Sequence, residues 1–270
     1  MKNAILATSL ISFFTSVVIS FFASVIFQTA HAEEAGKLSL ETGTDFNTGK
    51  YGGSQSTDIL YVPFTSKYQG KEWTLRLTVP YIQITGPASI ISVMNGIPLT
   101  GAAASNTPVT RSGMGDVIAA ATHNAYNGGN SGLIVNLTGK IKLGTASSSQ
   151  GLGTGKNDYA FQSDLYQVKG SYTTFGNFGY RIYGSPAGYT LNNIFYGSLG
   201  ESYKFNQETS GGMMLDVGQK VISTGSSIVE AIFFVNHKLD KTWKAQGYFL
   251  KGFTNGVPNF GLGASINHAI

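Results

Sequence analysis

The chain has 270 residues, no cysteine, and a net charge of +4 with no Lys/Arg cluster. These facts exclude a disulfide scaffold, a cysteine metal site and the electrostatic footprint of a nucleic-acid binder. Charged residues are only 12% of the chain, about half the usual soluble share, which argues against disorder.

Lys2 precedes an apolar run from Ala4 to Phe27. Ala30-His31-Ala32 then forms a small-x-small cleavage pattern ahead of Glu33-Glu34. This predicts a secretory signal peptide over residues 1–32 and a mature domain over 33–270. The same run is long enough to act as an uncleaved anchor helix. No later segment carries the run of roughly 18 apolar residues that a membrane helix needs.

The mature chain alternates with period two. Successive strand side chains point to opposite faces, so each alternating run reads as one strand. Lys37–Phe46 sets Leu38, Leu40 and Phe46 against Glu41 and Asp45. Asp58–Tyr68 sets Leu60, Val62, Phe64 and Tyr68 on one face. Glu72–Thr85 sets Trp73, Leu75, Leu77, Val79 and Tyr81 against Arg76. Pro63 and Pro80 fall inside these runs, and each predicts a bulge or a strand end because it removes a ladder donor. Gly86–Gly113 reads as a long loop: a lid, an inward plug or a surface flap. Met114–Tyr126 is a strand with Asp116, Thr122 and Asn124 on its polar face.

Gly132–Val168 is the clearest unit. Leu133, Val135, Leu137, Ile141 and Leu143 oppose Asn136, Thr138, Lys140 and Lys142. After a Gly/Ser/Thr loop, Tyr159, Phe161 and Leu165 oppose Asp158, Gln162 and Asp164. Tyr172–Tyr183, Asn193–Phe205, Gly211–Lys220, Ser227–Lys238, Thr242–Phe253 and Asn259–Ile270 repeat the pattern, with Glu201 an exception on an apolar face. The count is about 12 strands. Short turns near Gln69, Asn127, Lys169, Asn206 and Leu239 alternate with longer connections. The fold class is therefore all-β: an antiparallel up-and-down transmembrane β-barrel of an outer membrane. A soluble sandwich or lipocalin-like barrel is the alternative. Low charge, strand length and the aromatics Trp73, Trp243, Tyr81, Tyr172 and Phe253, expected at strand ends, favour the membrane.

Several short motifs occur in a fixed order: Gly151-Leu-Gly-Thr-Gly-Lys-Asn-Asp-Tyr159, Gly179-Tyr-Arg181, Gly184-Ser-Pro-Ala-Gly188, Leu191-Asn-Asn193 and Lys251-Gly-Phe-Thr-Asn-Gly256. With them the chain, from about Thr42 onward, resembles the phenol meta-pathway degradation or transporter family of secreted proteobacterial proteins. The resemblance implies an outer-membrane barrel and, loosely, transport of aromatic compounds. Two positions depart from the family pattern. Ser185 stands where an acidic residue is common, and Asn267-His-Ala-Ile270 replaces the usual terminal aromatic.

Gly151–Lys156 is not a phosphate loop. Its spacing is wrong, Asn157 follows the lysine, and no helix follows. It is expected at the outer tip of the hairpin. His123, His237 and His268 lack the neighbouring serine that a one-strand lipid hydrolase site would need, and they are expected at the periplasmic interface. No catalytic, cofactor or metal site is expected. The pore candidates are the lumen-facing charges Arg76, Asp116, Lys140, Lys142, Asp158, Asp164, Arg181, Asp216 and Glu230. Glu41, Asp45, Lys67, Lys204, Lys220, Lys238 and Lys244 share their face. The expected function is a narrow passive channel for small solutes, with a non-conducting structural or surface-binding barrel as the alternative and an outer-membrane lipid hydrolase as a third reading behind it. Expected partners are membrane lipid, a small-molecule solute and the outer-membrane assembly machinery.

Overall fold

The structure is a computed structural model. It describes residues 36–87 and 107–270 in full, and between them the course of two short strands, Ile90–Ser92 and Pro98–Thr100. The predicted signal peptide over residues 1–32 lies outside the described residues.

The barrel strands are β1 (Lys37–Gly49), β2 (Thr57–Gln69), β3 (Trp73–Pro87), β4 in two pieces (Pro108–Met114 and Val117–Asn127), β5 (Leu133–Leu143) and β6 (Asp158–Lys169). They continue as β7 (Tyr172–Ile182), β8 (Ile194–Lys204), β9 (Thr209–Gly218), β10 (Ile228–Lys238), β11 (Trp243–Gly252) and β12 (Phe260–Ala269). Each strand pairs antiparallel with the next, and β12 pairs with β1, so the sheet closes. The two pieces of β4 are one strand because both pair with β3, one register step apart. Thr78 faces Ile118, but Tyr81 faces Met114. The extra residue between them is a β-bulge at Gly115–Asp116.

Carried round all the pairings, the register returns to β1 about 14 residues along, which sets the strand tilt near 40° and the backbone radius near 12 Å. A barrel of that radius leaves a narrow interior once side chains fill it.

The outer face is apolar. Phe64, Leu75, Leu77, Phe161, Phe178, Leu199, Leu215, Phe233 and Leu262 are all exposed, Leu199 at 67%. A continuous apolar belt of this kind is intolerable in water and is satisfied only by lipid. Trp73 stacks on His123 and Trp243 on His268, with centroids 4.7 and 4.2 Å apart, on the outer face beside the short turns. That is the aromatic girdle of a membrane interface. The molecule is an outer-membrane barrel. Both ends of the described barrel, at β1 and β12, lie on the short-turn, periplasmic side. The β10–β11 turn there is tied by Asp240, whose Oδ1 accepts the Thr242 and Trp243 amides at 2.7 and 2.8 Å. Those amides, Thr242 first, hold its carboxyl below the usual range.

The structure corrects three expectations about elements. β3 runs to Pro87 and residues 108–114 are strand, so the connection expected over 86–113 is shorter. Extending β3 also puts Tyr81 at mid-strand rather than at a strand end. The Gly151–Lys156 segment is not a tip. Leu152 is only 2% exposed, and Gly151 to Thr154 are buried beneath the outer rim.

Candidate functional site: the barrel lumen

The inner faces of the strands carry the predicted charges, and the structure sorts them by height. At the outer end, Lys142 Nζ lies 2.7 Å from Asp116 Oδ2 and 3.1 Å from Asp158 Oδ2. This trio holds loops in place. Lys142 also donates to Thr154 Oγ1 at 3.2 Å, Asp116 Oδ1 accepts the Ala146 amide at 2.8 Å, and Asp158 Oδ1 accepts the Gly184 amide at 2.8 Å. The β4 bulge aims Asp116 into the trio. These three residues therefore secure the inward-folded β5–β6 loop rather than line an open path.

Just below, Lys140 Nζ donates to Gln162 Oε1 at 2.7 Å, and Thr138 donates to Asp164 at 3.0 Å. Tyr196 Oη donates to the same Gln162 oxygen. Arg181, 1% exposed, lies 4.6 Å over the Tyr196 ring and donates to Tyr183 Oη. Asp216 and Glu230 stand directly opposite each other on β9 and β10.

The periplasmic end is basic. Lys67 and Arg76 face each other across β2 and β3, and Lys238 faces Lys244 across β10 and β11. Lys204 adds a further cation, and Glu41 stands among them. Like charges in direct cross-strand register are destabilising. Here the cation pairs sit at one end of the lumen and the acid pair at the other, so the interior is polarised along its axis. Lys220 departs from the expected set. It lies past the end of β9, exposed, and donates to the Ser223 carbonyl.

The sequence reading missed a second feature of the lumen: much of it is apolar. Ile59, Tyr61, Ile82, Ile84, Ile118 and Ile194 face inward at the outer end. There they pack with Tyr51, Leu152, Leu191 and Val221 from the loops. A second cluster holds Tyr166, Phe175, Met214, Ile232, Phe234, Tyr248 and Leu250. Four lumen aromatics lie flat over inward-facing glycines of a neighbouring strand: Tyr196 over Gly179, Phe175 over Gly200, Phe234 over Gly212 and Tyr248 over Gly263. Laid against bare wall, each ring takes little of the narrow bore.

This packing yields a prediction. A Cβ on Gly263 would collide with the Tyr248 ring, and Tyr248 Oη donates to Asp45 at 2.7 Å. Gly263→Ala is expected to swing the ring toward the axis, lower unitary conductance in a planar bilayer, and cost about 1–3 kcal/mol of stability. An unchanged conductance would show that the ring does not border the path.

The histidines stay outside the lumen. His123 and His268 stack on tryptophans, and His237 Nδ1 lies 2.9 Å from Thr209 Oγ1 at the periplasmic rim. Among the described residues, no group of three His, Asp or Glu side chains is placed to hold a metal ion.

The profile of the family described as "Putative MetA-pathway of phenol degradation" matches residues 39–270. The chain belongs to that family. No curated protein matches the chain significantly in sequence. Among solved structures, an outer membrane channel from Pseudomonas putida F1 is similar, with a TM-score of 0.67 at 13% identity, over 90% of this chain and 98% of that one. The KdgM porin aligns with a TM-score of 0.50 at 12% identity, over 86% and 99% of the two chains. At such identities the likeness is one of fold: the family's barrel and these structures share an architecture.

Proposed function

We propose that this barrel is a narrow passive channel of the outer membrane for small solutes, aromatic compounds among them. One observation carries the reading most directly. The interior is walled by aromatic side chains laid over glycines, above a periplasmic mouth whose lysines are only half-buried. Lys67, Lys204, Lys238 and Lys244 are all of intermediate exposure although they face inward. Water therefore enters the lumen at the periplasmic mouth, and the rings laid against the wall keep the path above it from filling. The family description and the channel and porin among the structural neighbours point the same way.

No nucleotide motif or energy-coupling segment was found in the sequence, and we read the barrel as a passive conduit rather than an enzyme. Histidines on the lipid side of the wall favour that reading over a lipid hydrolase.

Refolded protein in a planar bilayer is expected to give small, discrete conductance steps. Silence across salts and voltages, with heat-modifiable gel migration confirming a folded barrel, would overturn the channel reading in favour of a structural barrel.

A further inference from the structure

Down the paired strands β10 and β11 the lumen face changes chemistry in register. Ile232 faces Leu250, Phe234 faces Tyr248, Asn236 faces Gln246 and Lys238 faces Lys244. From the middle of the barrel to the periplasmic mouth the order is aliphatic, aromatic, amide, cation. Inward rows lie two residues apart, about 7 Å along the strand. β9 and β8 extend the amide row sideways, because Asn236 also faces Ser210 and Ser210 faces Lys204.

Two members of that row are dry and unsatisfied. Asn236 is 1% exposed and Ser210 0%. Asn236 Nδ2, Asn236 Oδ1 and Ser210 Oγ have no hydrogen-bond partner among the described residues. A buried amide or hydroxyl without a partner costs stability, and leucine and alanine would fill the same wall without that cost. Arg76 repeats the signal from the opposite wall. Its side chain is 8% exposed, its Nη2 has no acceptor among the described residues, and β3 lies six strands from β9 in the closed sheet. Arg76 stands three residues in from Trp73, as Gln246 stands three in from Trp243, so the aromatic girdle sets both at one height. Unfilled donors thus face the bore from both sides, at a level where cations outnumber Glu41.

We propose that this level is a binding subsite for an aromatic monocarboxylate, a benzoate-like acid, and that such acids are among the channel's solutes. The carboxylate accepts from Asn236 Nδ2 and Ser210 Oγ, and Lys204 and Lys238 supply counter-charge. The ring lies one row higher, against Phe234 and Tyr248. Those two side chains are pressed over Gly212 and Gly263, which leaves room on the bore side. A ring bonded directly to its carboxyl group spans about one row spacing, so both rows are engaged at once. The lysines are the adaptable cover: half-buried, they can swing their ammonium groups toward the mouth as an acid enters. The passage of such acids rests on the channel reading above; their binding does not.

Binding and conduction are therefore measured separately. Folded barrel in detergent, certified by heat-modifiable migration, is dialysed to equilibrium at low salt against labelled benzoate. Benzamide, which keeps the ring and loses the charge, and acetate, which keeps the charge and loses the ring, are the competitors. Benzoate is expected to bind saturably, with benzamide and acetate each about tenfold weaker or more. Asn236→Leu with Ser210→Ala removes both donors without leaving a polar group dry, and should weaken benzoate about tenfold. Should that pair fail to fold, Ser210→Ala alone is expected to weaken it severalfold.

Benzoate bound no more tightly than benzamide or acetate, or equally by wild type and the folded variants, would overturn the subsite and leave the channel reading standing. In a planar bilayer, added benzoate is expected to reduce the wild-type conductance step. A barrel that binds benzoate but passes no current in any salt would uphold the subsite and overturn the passage of acids, and the channel reading with it.

Discussion

Replacing Lys142 with alanine is expected to destabilise the barrel by about 3–5 kcal/mol, the usual cost of breaking one side of a buried ion pair. Lys142 is 2% exposed, Asp158 0%, and both carboxylates of the trio depend on the one ammonium. Without it, Asp116 and Asp158 are left as two close, dry carboxylates. The loss does not stay local. Asp116 accepts the Ala146 amide, Asp158 accepts the Gly184 amide, and Thr154 loses its ammonium donor. The β5–β6 loop should therefore loosen at its outer end, and protease cleavage near Ser148–Gln150 should rise with the drop in unfolding midpoint. A urea titration in detergent, read by the shift between folded and unfolded gel bands, measures the first effect. Lys142→Met combined with Asp116→Asn and Asp158→Asn removes every charge and should recover most of the stability. A loss below about 1 kcal/mol would place the trio among solvated ion pairs.

Much of this barrel is legible in the sequence because lipid and lumen impose opposite polarities on alternate residues. Leu133 to Leu143 and Asp158 to Lys169 declare their two faces within a dozen residues. The failures have physical causes too. Pro108-Val-Thr-Arg-Ser-Gly-Met114 has the composition of a loop; it is strand because β3 extends far enough to pair with it, with Thr85 and Thr110 hydroxyls 2.9 Å apart. The Ile59-Leu-Tyr-Val62 and Tyr81-Ile-Gln-Ile84 stretches are apolar on both faces, or nearly so. Periodicity alone could not assign their inner side, and the apolar cluster at the outer end went unseen. The doubled apolarity was the available signal for burial on both sides. Leu152, one aliphatic residue in a polar loop, was the corresponding signal that the loop folds inward. Lys220 was placed by continuing the alternation past the strand, where it no longer holds. The aromatic-on-glycine contacts need the register between strands, which no single strand reveals.

The axial sorting of charge should make the channel anion-selective at low salt. Lys67 with Arg76 and Lys238 with Lys244 are cross-strand cation pairs at the periplasmic mouth. The acid pair Asp216 and Glu230 lies toward the other end. Charge rings of one sign set the selectivity of a narrow pore. The Debye length is about 10 Å at 0.1 M salt and about 3 Å at 1 M. Against a backbone radius of about 12 Å, the basic ring should command the whole cross-section at low salt and only the wall at high salt. The zero-current potential across a KCl gradient should therefore show chloride preference near 0.1 M and little preference near 1 M. The triple substitution Lys67→Glu, Lys238→Glu, Lys244→Glu should reverse its sign at low salt. These three side chains are half-buried in a wet mouth, so the barrel should keep its heat-modifiable migration. Arg76, 8% exposed, is left in place to avoid stranding an acid in a dry site. The wild-type potential and the triple variant's potential should thus differ in sign at 0.1 M and converge as salt rises. Potentials of the same sign at low salt would mean that current does not pass through the basic mouth.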